Sequence, residues 1–547
     1  MPATTSWRRS RSRRSPTRSR RSEHKGAPVM RRLGRPIAVS IVLAVAADRA
    51  AHAQGRGGPN WTTTSSDAQR TSWVKTDPRI SRESLQKPGF QLLWKTKLEN
   101  QPRQLESLTQ PILLSNIISY KGFKALAFIG GSSDNVYSID YDLNKIFWKR
   151  HLNALPPAGG TIACPGAMTT ITRATPLGQA APAPPAGGGG RGQNSNVYAV
   201  SSGGLLHTLN PQTGDDLTPP VRFLPPNAKA VGSILIDTIL YVATRDGCGS
   251  AANGVFAIDI ASDVKAVTEW ESKGGNVAGT AGPTFGTDGN IYVATDGGAP
   301  SSSTDGSAVV GLDRQTLGPK DWFSPGKSAF TASPSAFYYK GRHLIVAANA
   351  DGRLYVLDAA SLGGPDHRTP ASKTAPYSIA TGDFTPGALA TAEHADGSRW
   401  VFATAGGPLH AETTFGMTNG AVTNGAVVAY RIADQNGTPT LQPVWVSRDM
   451  ISPAPPTIVN GVVFAISSGE YRSGDRQMTA AQRVQRSKPA VLYALDAATG
   501  QELWSSGAAI SSFVRGVGPS AGDGQVYVVT YDGTIYAFGI KFQIPNS

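Results

Sequence analysis

An all-β ring of eight four-stranded blades is the fold this sequence predicts, and three observations predict it. A hairpin recurs eight times, a tryptophan follows many of its copies, and a lone strand near the N-terminus supplies the one strand that the last copy lacks. Units of this size cannot bury their apolar faces alone, so they must stack on copies of themselves.

Each hairpin begins with an apolar strand bearing tyrosine and small residues, as in Ile291-Tyr292-Val293-Ala294-Thr295 or Val526-Tyr527-Val528-Val529-Thr530. Alternation at period two marks a half-buried strand, and Asp-Gly turns such as Asp532-Gly533 supply the positive φ that tight hairpins need. These strands fall at 125–129, 196–200, 240–244, 291–295, 344–348, 400–404, 462–466 and 526–530. Their partners fall at 136–140, 205–210, 254–259, 308–313, 354–358, 426–431, 491–496 and 534–538. Short runs of small residues and proline precede each hairpin, as in Gly279-Thr280-Ala281-Gly282-Pro283, and suit an innermost strand crowded against the axis.

The outer strands carry Trp148, Trp270, Trp322, Trp445 and Trp504, and the eighth copy ends without one. Phe90 to Lys95, containing Trp94, is the strand that would complete it and close the ring, removing both free edges. A residue that recurs at one place in every unit reads as packing between blades.

The formal charge of +14 is concentrated outside this body: residues 1–29 carry eight of it and residues 30–53 three. Nucleic-acid binding needs a basic patch on the folded domain, so the charge gives that class no support. From Met30 the chain reads as a secretory signal: Arg31-Arg32, an apolar run from Ile37 to Ala47, and Ala51-His52-Ala53 before the expected cleavage. The resulting division is a basic segment or over-extended gene start (1–29), a signal peptide (30–53), a lead-in (54–89), the propeller (90–541) and a tail (542–547). Export to the periplasm or medium follows, with no transmembrane anchor in the mature chain, and a monomer is expected.

Cys164 and Cys248 are the only cysteines, and two thiols in an oxidising compartment tend to pair. Strand order places both on the face that carries the loops between second and third strands. Insertions concentrate in that loop class, at 245–253, 296–307, 405–424 and 467–488. Loops lengthened on one face usually build a site. They supply His410, Glu412, Glu470 and Arg472, while Arg173 and Arg515 lie where they could enter the axial funnel; the bland reading is that these are solvated loop charges.

The run Leu492-Tyr493-Ala494-Leu495-Asp496-Ala497-Ala498-Thr499-Gly500-Gln501-Glu502-Leu503-Trp504 resembles the repeat of pyrroloquinoline quinone (PQQ)-type propellers. The resemblance extends over roughly residues 90 to 540 and implies the propeller fold. For function it implies two classes, since the family includes PQQ- and Ca-dependent dehydrogenases of alcohols and sugars as well as an outer-membrane assembly scaffold. The chain lacks the adjacent cysteine pair of many of the enzymes, any Cys-x-x-Cys-His, and the lipid-bearing cysteine of the scaffold. An enzyme of this kind would need Ca²⁺ ligands, for which Glu412 or Glu470 with Asn419 or Asn424 are the candidates, and a basic side chain at the quinone, for which Arg515 or Arg173 are. The reading favoured is an exported ligand- or partner-binding scaffold of the cell envelope; the alternative is the quinoprotein dehydrogenase.

Overall fold

The alternating strands pair as their pattern requires. The computed structural model describes residues 61–541 apart from 88, 120–121, 153–159, 177–194, 274 and 298–306. The basic segment, the signal sequence, the tail and the Gly/Pro-rich stretch 178–194 lie outside the described residues. Eight antiparallel sheets follow one another as blades 1 to 8, at residues 112–151, 171–222, 229–271, 284–326, 335–373, 390–446, 457–505 and 520–540. In blade 8 the outer strand is Phe90–Lys97, which pairs with Thr534–Ile540 so that Trp94 lies opposite Ala537 and Lys95 opposite Tyr536. The N-terminal strand therefore latches the ring, as the sequence predicts.

The tryptophans join successive blades. Trp94 Nε1 donates to the Tyr141 carbonyl of blade 1 (3.1 Å), Trp148 to Pro211 of blade 2 (2.9 Å) and Trp445 to Ala497 of blade 7 (2.8 Å). Trp504 meets Phe90 and Phe538 of blade 8, and Trp322 stacks on His367 of blade 5. Trp270 is buried in the cluster that blade 3 shares with Leu312 and Leu317 of blade 4. This docking explains the glycine of the repeat: a Cβ on Gly500 would lie 2.4 Å from the ring of Trp445, and Gly500 also has φ +71°. Trp445→Ala should empty a fully buried site and leave the Ala497 carbonyl without its donor, lowering stability by about 3 kcal/mol in denaturant unfolding.

Small residues before the inner strands meet the expected crowding at the axis. A Cβ on Gly232 would lie 1.8 Å from the Ala281 carbonyl oxygen, and φ at Gly232 is +53°.

The lead-in does more than the sequence suggests: residues 61–74 run round the axis inside the ring. Their carbonyls accept the inner-strand amides of six blades in ring order. Trp61 O accepts from Leu113 (2.7 Å), Thr62 from Arg173 (2.9 Å), Ala68 from Phe285 (2.8 Å), Gln69 from Ala336 (3.0 Å), Thr71 from Thr391 (2.9 Å) and Ser72 from Ile458 (2.9 Å). Thr63 Oγ1 reaches the Ser233 carbonyl of blade 3, and Gln110 links Ser65 N to Gly518 and Pro519 beside blade 8. Trp73–Val74 then pairs parallel with the inner strand of blade 7, and the chain leaves to become the latch.

This hub adopts left-handed backbone at Ser65, Ser66, Arg70 and Ser72, a conformation that costs non-glycine residues about 1–2 kcal/mol each. A buried network offsets it. Arg70, fully buried, donates from Nε to the Pro283 carbonyl (2.8 Å) and from Nη1 to Thr63 Oγ1 (3.0 Å) and the Thr64 carbonyl (2.7 Å). Burial pulls its guanidinium down to about 9, opposed by Asp67, so it stays charged at neutral pH.

Candidate functional site

In four antiparallel strands, the loop between the second and third strands shares a face with the connection to the next blade. On that face, at the axis, the structure has a funnel-shaped cavity of about 270 Å³. Its walls come from five of the interblade connections and from the hairpin loops of blades 7 and 8, with the start of the innermost strand of blade 3 and Arg245 at the end of that blade's second strand.

The sequence-predicted Glu470, Arg472 and Arg515 do meet here. Glu470 is 1% exposed and is held by three guanidiniums: Arg472 at 2.8 Å, Arg483 at 3.5 Å, and Arg515 in direct contact. Arg483 also pairs with Asp383 at 2.6 Å. Arg483 was invisible as a site residue because it is brought in by a helix, Ala480–Arg486, within the loop of blade 7. That helix is capped by Thr479 and Gln482, a Thr-x-x-Gln signature legible in the sequence. Asp383 comes from the connection between blades 5 and 6, immediately before the small-residue run 384–387 that marks an approach to the axis.

Burial lowers the Arg472 pKa, with Glu470 opposing it. Burial also works against the Arg515 charge, but Glu470 and Glu106 outweigh it and hold that guanidinium above its usual value. At Asp383 burial resists the charge, and the Arg483 hydrogen bond with neighbouring Arg472 outweighs it, so the carboxyl sits below its usual value. Asp383 therefore binds its proton more weakly when folded. Its stabilising contribution is fully present above about pH 3.8, the ordinary value, and is lost as pH falls through the lower folded value. Asp383→Asn should unfold at lower temperature than the parent at pH 7, and the gap in Tm should narrow as the pH is taken below 4.

Across the funnel, Lys229 lies 3.0 Å from Asp246 and 3.9 Å from Glu106, and Arg245 lies 3.4 Å from Asp246. Tyr531 forms part of the rim, stacked on Phe513 with centroids 4.7 Å apart, its hydroxyl donating to the Gln104 carbonyl (2.9 Å). The Cys164–Cys248 disulfide, expected from the sequence, closes a separation of 84 residues beside Asp246, with Cα atoms 5.3 Å apart.

The other candidates lie elsewhere. Arg173 is buried between blades, donating from Nη1 to the Leu113 carbonyl (2.6 Å), and its own amide is taken by the hub. His410 and Glu412 are carried to the periphery, because Met417–Thr418 of their loop joins blade 6 as a fifth strand beside Trp445 and Val446. Glu412 there faces Arg353 at 4.0 Å, and its amide donates to His410 Nδ1. Asn419 donates to the Val446 and Thr499 carbonyls (2.8 and 3.1 Å), and Asn424 to Asp449 (2.6 Å). Asp296, in the insertion of blade 4, is tied to Asn276, and residues 298–306 lie outside the described residues.

A bound Ca²⁺ needs several convergent oxygen donors. The amides proposed for it lie away from the funnel, Asn419 beside Val446 and Thr499 and Asn424 beside Asp449, and Glu470 is committed to arginines. Among the described residues no three His, Cys, Asp or Glu side chains converge as a metal site would require. The donor set does not fit the metal that the resemblance implies.

The chain is a PQQ-like β-propeller. A family model described as outer membrane protein assembly factor BamB matches residues 444–541. Similar solved structures include a quinohemoprotein alcohol dehydrogenase from Comamonas testosteroni, 16% identical with a TM-score of 0.55 over 91% of this chain and 83% of that one. A europium-containing methanol dehydrogenase is 11% identical, with a TM-score of 0.55 over 88% of this chain and 98% of that one. At these identities the likeness is one of fold. No curated protein matches the sequence.

Proposed function

We propose that this protein is an exported propeller of the cell envelope that binds a ligand or protein partner and does not act as a PQQ- and Ca-dependent dehydrogenase. The observation that carries the reading is the state of Glu470, the carboxylate best placed to serve a metal or act as a base. Three arginines surround it, so it is a structural counter-ion for the funnel wall. The funnel keeps its concavity and basic lining and loses the acid chemistry that the enzyme needs. Export rests on the signal-like segment from Met30 with cleavage after Ala53, and among the described residues no helix is long and apolar enough to cross a membrane. The match of the last blades to an assembly-factor model supports an envelope partner.

The test is to add PQQ with Ca²⁺ to the purified protein and follow quinone absorbance and dye-linked oxidation of alcohols and sugars. The expected result is no stoichiometric cofactor and no dye reduction. Tight one-to-one binding with alcohol-dependent dye reduction would establish the dehydrogenase instead.

A further inference from the structure

We propose that the axial funnel takes a small monocarboxylic acid with an apolar body, held by its carboxylate on the blade 7 and 8 side; this rests on the reading of the funnel as a ligand site. The charge count of the wall selects one negative group. Among the described residues five cations, Lys229, Arg245, Arg472, Arg483 and Arg515, form the ion-pair network with four carboxylates, Glu106, Asp246, Asp383 and Glu470. The excess lies at Glu470, where three guanidiniums face two carboxylates. Lys229 and Arg245 are balanced by Glu106 and Asp246.

An uncompensated charge in a desolvated site is costly, and a charge-assisted hydrogen bond from a bound anion relieves it. Arg472 offers the donor: it lines the cavity, its ion pair with Glu470 runs through Nη2, and its buried Nε has no hydrogen-bond partner, so the guanidinium is under-satisfied. Part of the remaining wall is apolar, with Leu105, Leu108, Met168, Val231 and Val517 facing the same cavity among hydroxyl side chains such as Thr169, Thr280 and Thr530. A doubly charged phosphate would bring one charge too many and leave this apolar wall wet. A carboxylate with a short hydrocarbon chain satisfies both parts of a cavity of about 270 Å³.

Calorimetric titration of the purified full chain with hexanoate, its neutral isostere hexanamide, and inorganic phosphate tests this without requiring any variant to fold. Hexanoate should bind one-to-one and hexanamide should bind roughly ten- to a hundredfold more weakly, the usual worth of a hydrogen bond to a charged group. Arg472→Gln should bring hexanoate down to the level of hexanamide. Glu470→Gln, which raises the excess to two, should shift preference from hexanoate to the dicarboxylate glutarate. Equal binding of hexanoate and hexanamide would overturn the charge argument and leave the funnel a ligand site, and preference for phosphate would overturn the ligand class. Binding of none of the probes would overturn the proposal and count against the funnel reading beneath it.

Discussion

A variant lacking residues 61–74 is expected to lose the cooperative unfolding transition of the parent protein and to be digested by proteases under conditions where the parent is intact. The segment supplies six carbonyl acceptors to inner strands of six different blades, so its removal uncouples the ring at its centre. Trp61, fully buried, accounts for about 3–5 kcal/mol alone when truncated. Deletion also leaves the Pro283 carbonyl without its Arg70 donor and the six inner-strand amides without their acceptors, each at about 1–3 kcal/mol if buried. Together these reach the whole stability of a typical domain, about 5–15 kcal/mol. Trp61→Ala is the graded version: a cooperative transition at lower denaturant concentration. A deletion variant with the parent's transition would show that the blades hold together by lateral packing alone.

Replacing Cys164 and Cys248 by alanine together should lower stability by about 4.5 kcal/mol, the chain-entropy value for a loop of this length. The bond also ties the connection between blades 1 and 2 to the loop that carries Asp246, which holds both Lys229 and Arg245. The double variant should therefore weaken hexanoate binding less than Arg472→Gln does, because the excess charge sits on the other wall. Denaturant unfolding measures the first effect, and mass after alkylation of the unreduced protein checks the bond itself by showing no free thiol.

The hairpins, the latch and the tryptophans were legible because each is written in side chains at fixed spacing. Trp94 and Trp445 do the same job at opposite ends of the chain, and the Thr-Gly before Trp504 is the seat of the previous blade's tryptophan. The cysteine pair was legible because strand order put both on one face. The hub was not. Thr62, Thr63, Ser65, Ser66 and Ser72 look like linker residues, since what they contribute is largely backbone carbonyls, and the matching donors lie in strands scattered from Leu113 to Ile458. A third of the funnel's ion-paired residues were legible: Glu470, Arg472 and Arg515, three of nine, carry charge in places that topology brings to the axis. Arg173 shares that description and fails it, because a nearby backbone carbonyl at Leu113 captures its guanidinium. His410 and Glu412 fail for a different reason, the pairing of Met417–Thr418 at the outer edge of blade 6, which a two-residue strand does not announce in sequence.

The protein's own residues 61–74 fill the axis of the ring beneath the funnel. Residue-resolved hydrogen exchange is the decisive measurement, at the amides of Leu113, Arg173, Phe285, Ala336, Thr391 and Ile458. With the hub in place these amides are bonded to its carbonyls and should exchange only with global unfolding. Exchange at the rate of exposed turns such as 396–398 would mean that water, not residues 61–74, occupies the centre of the ring.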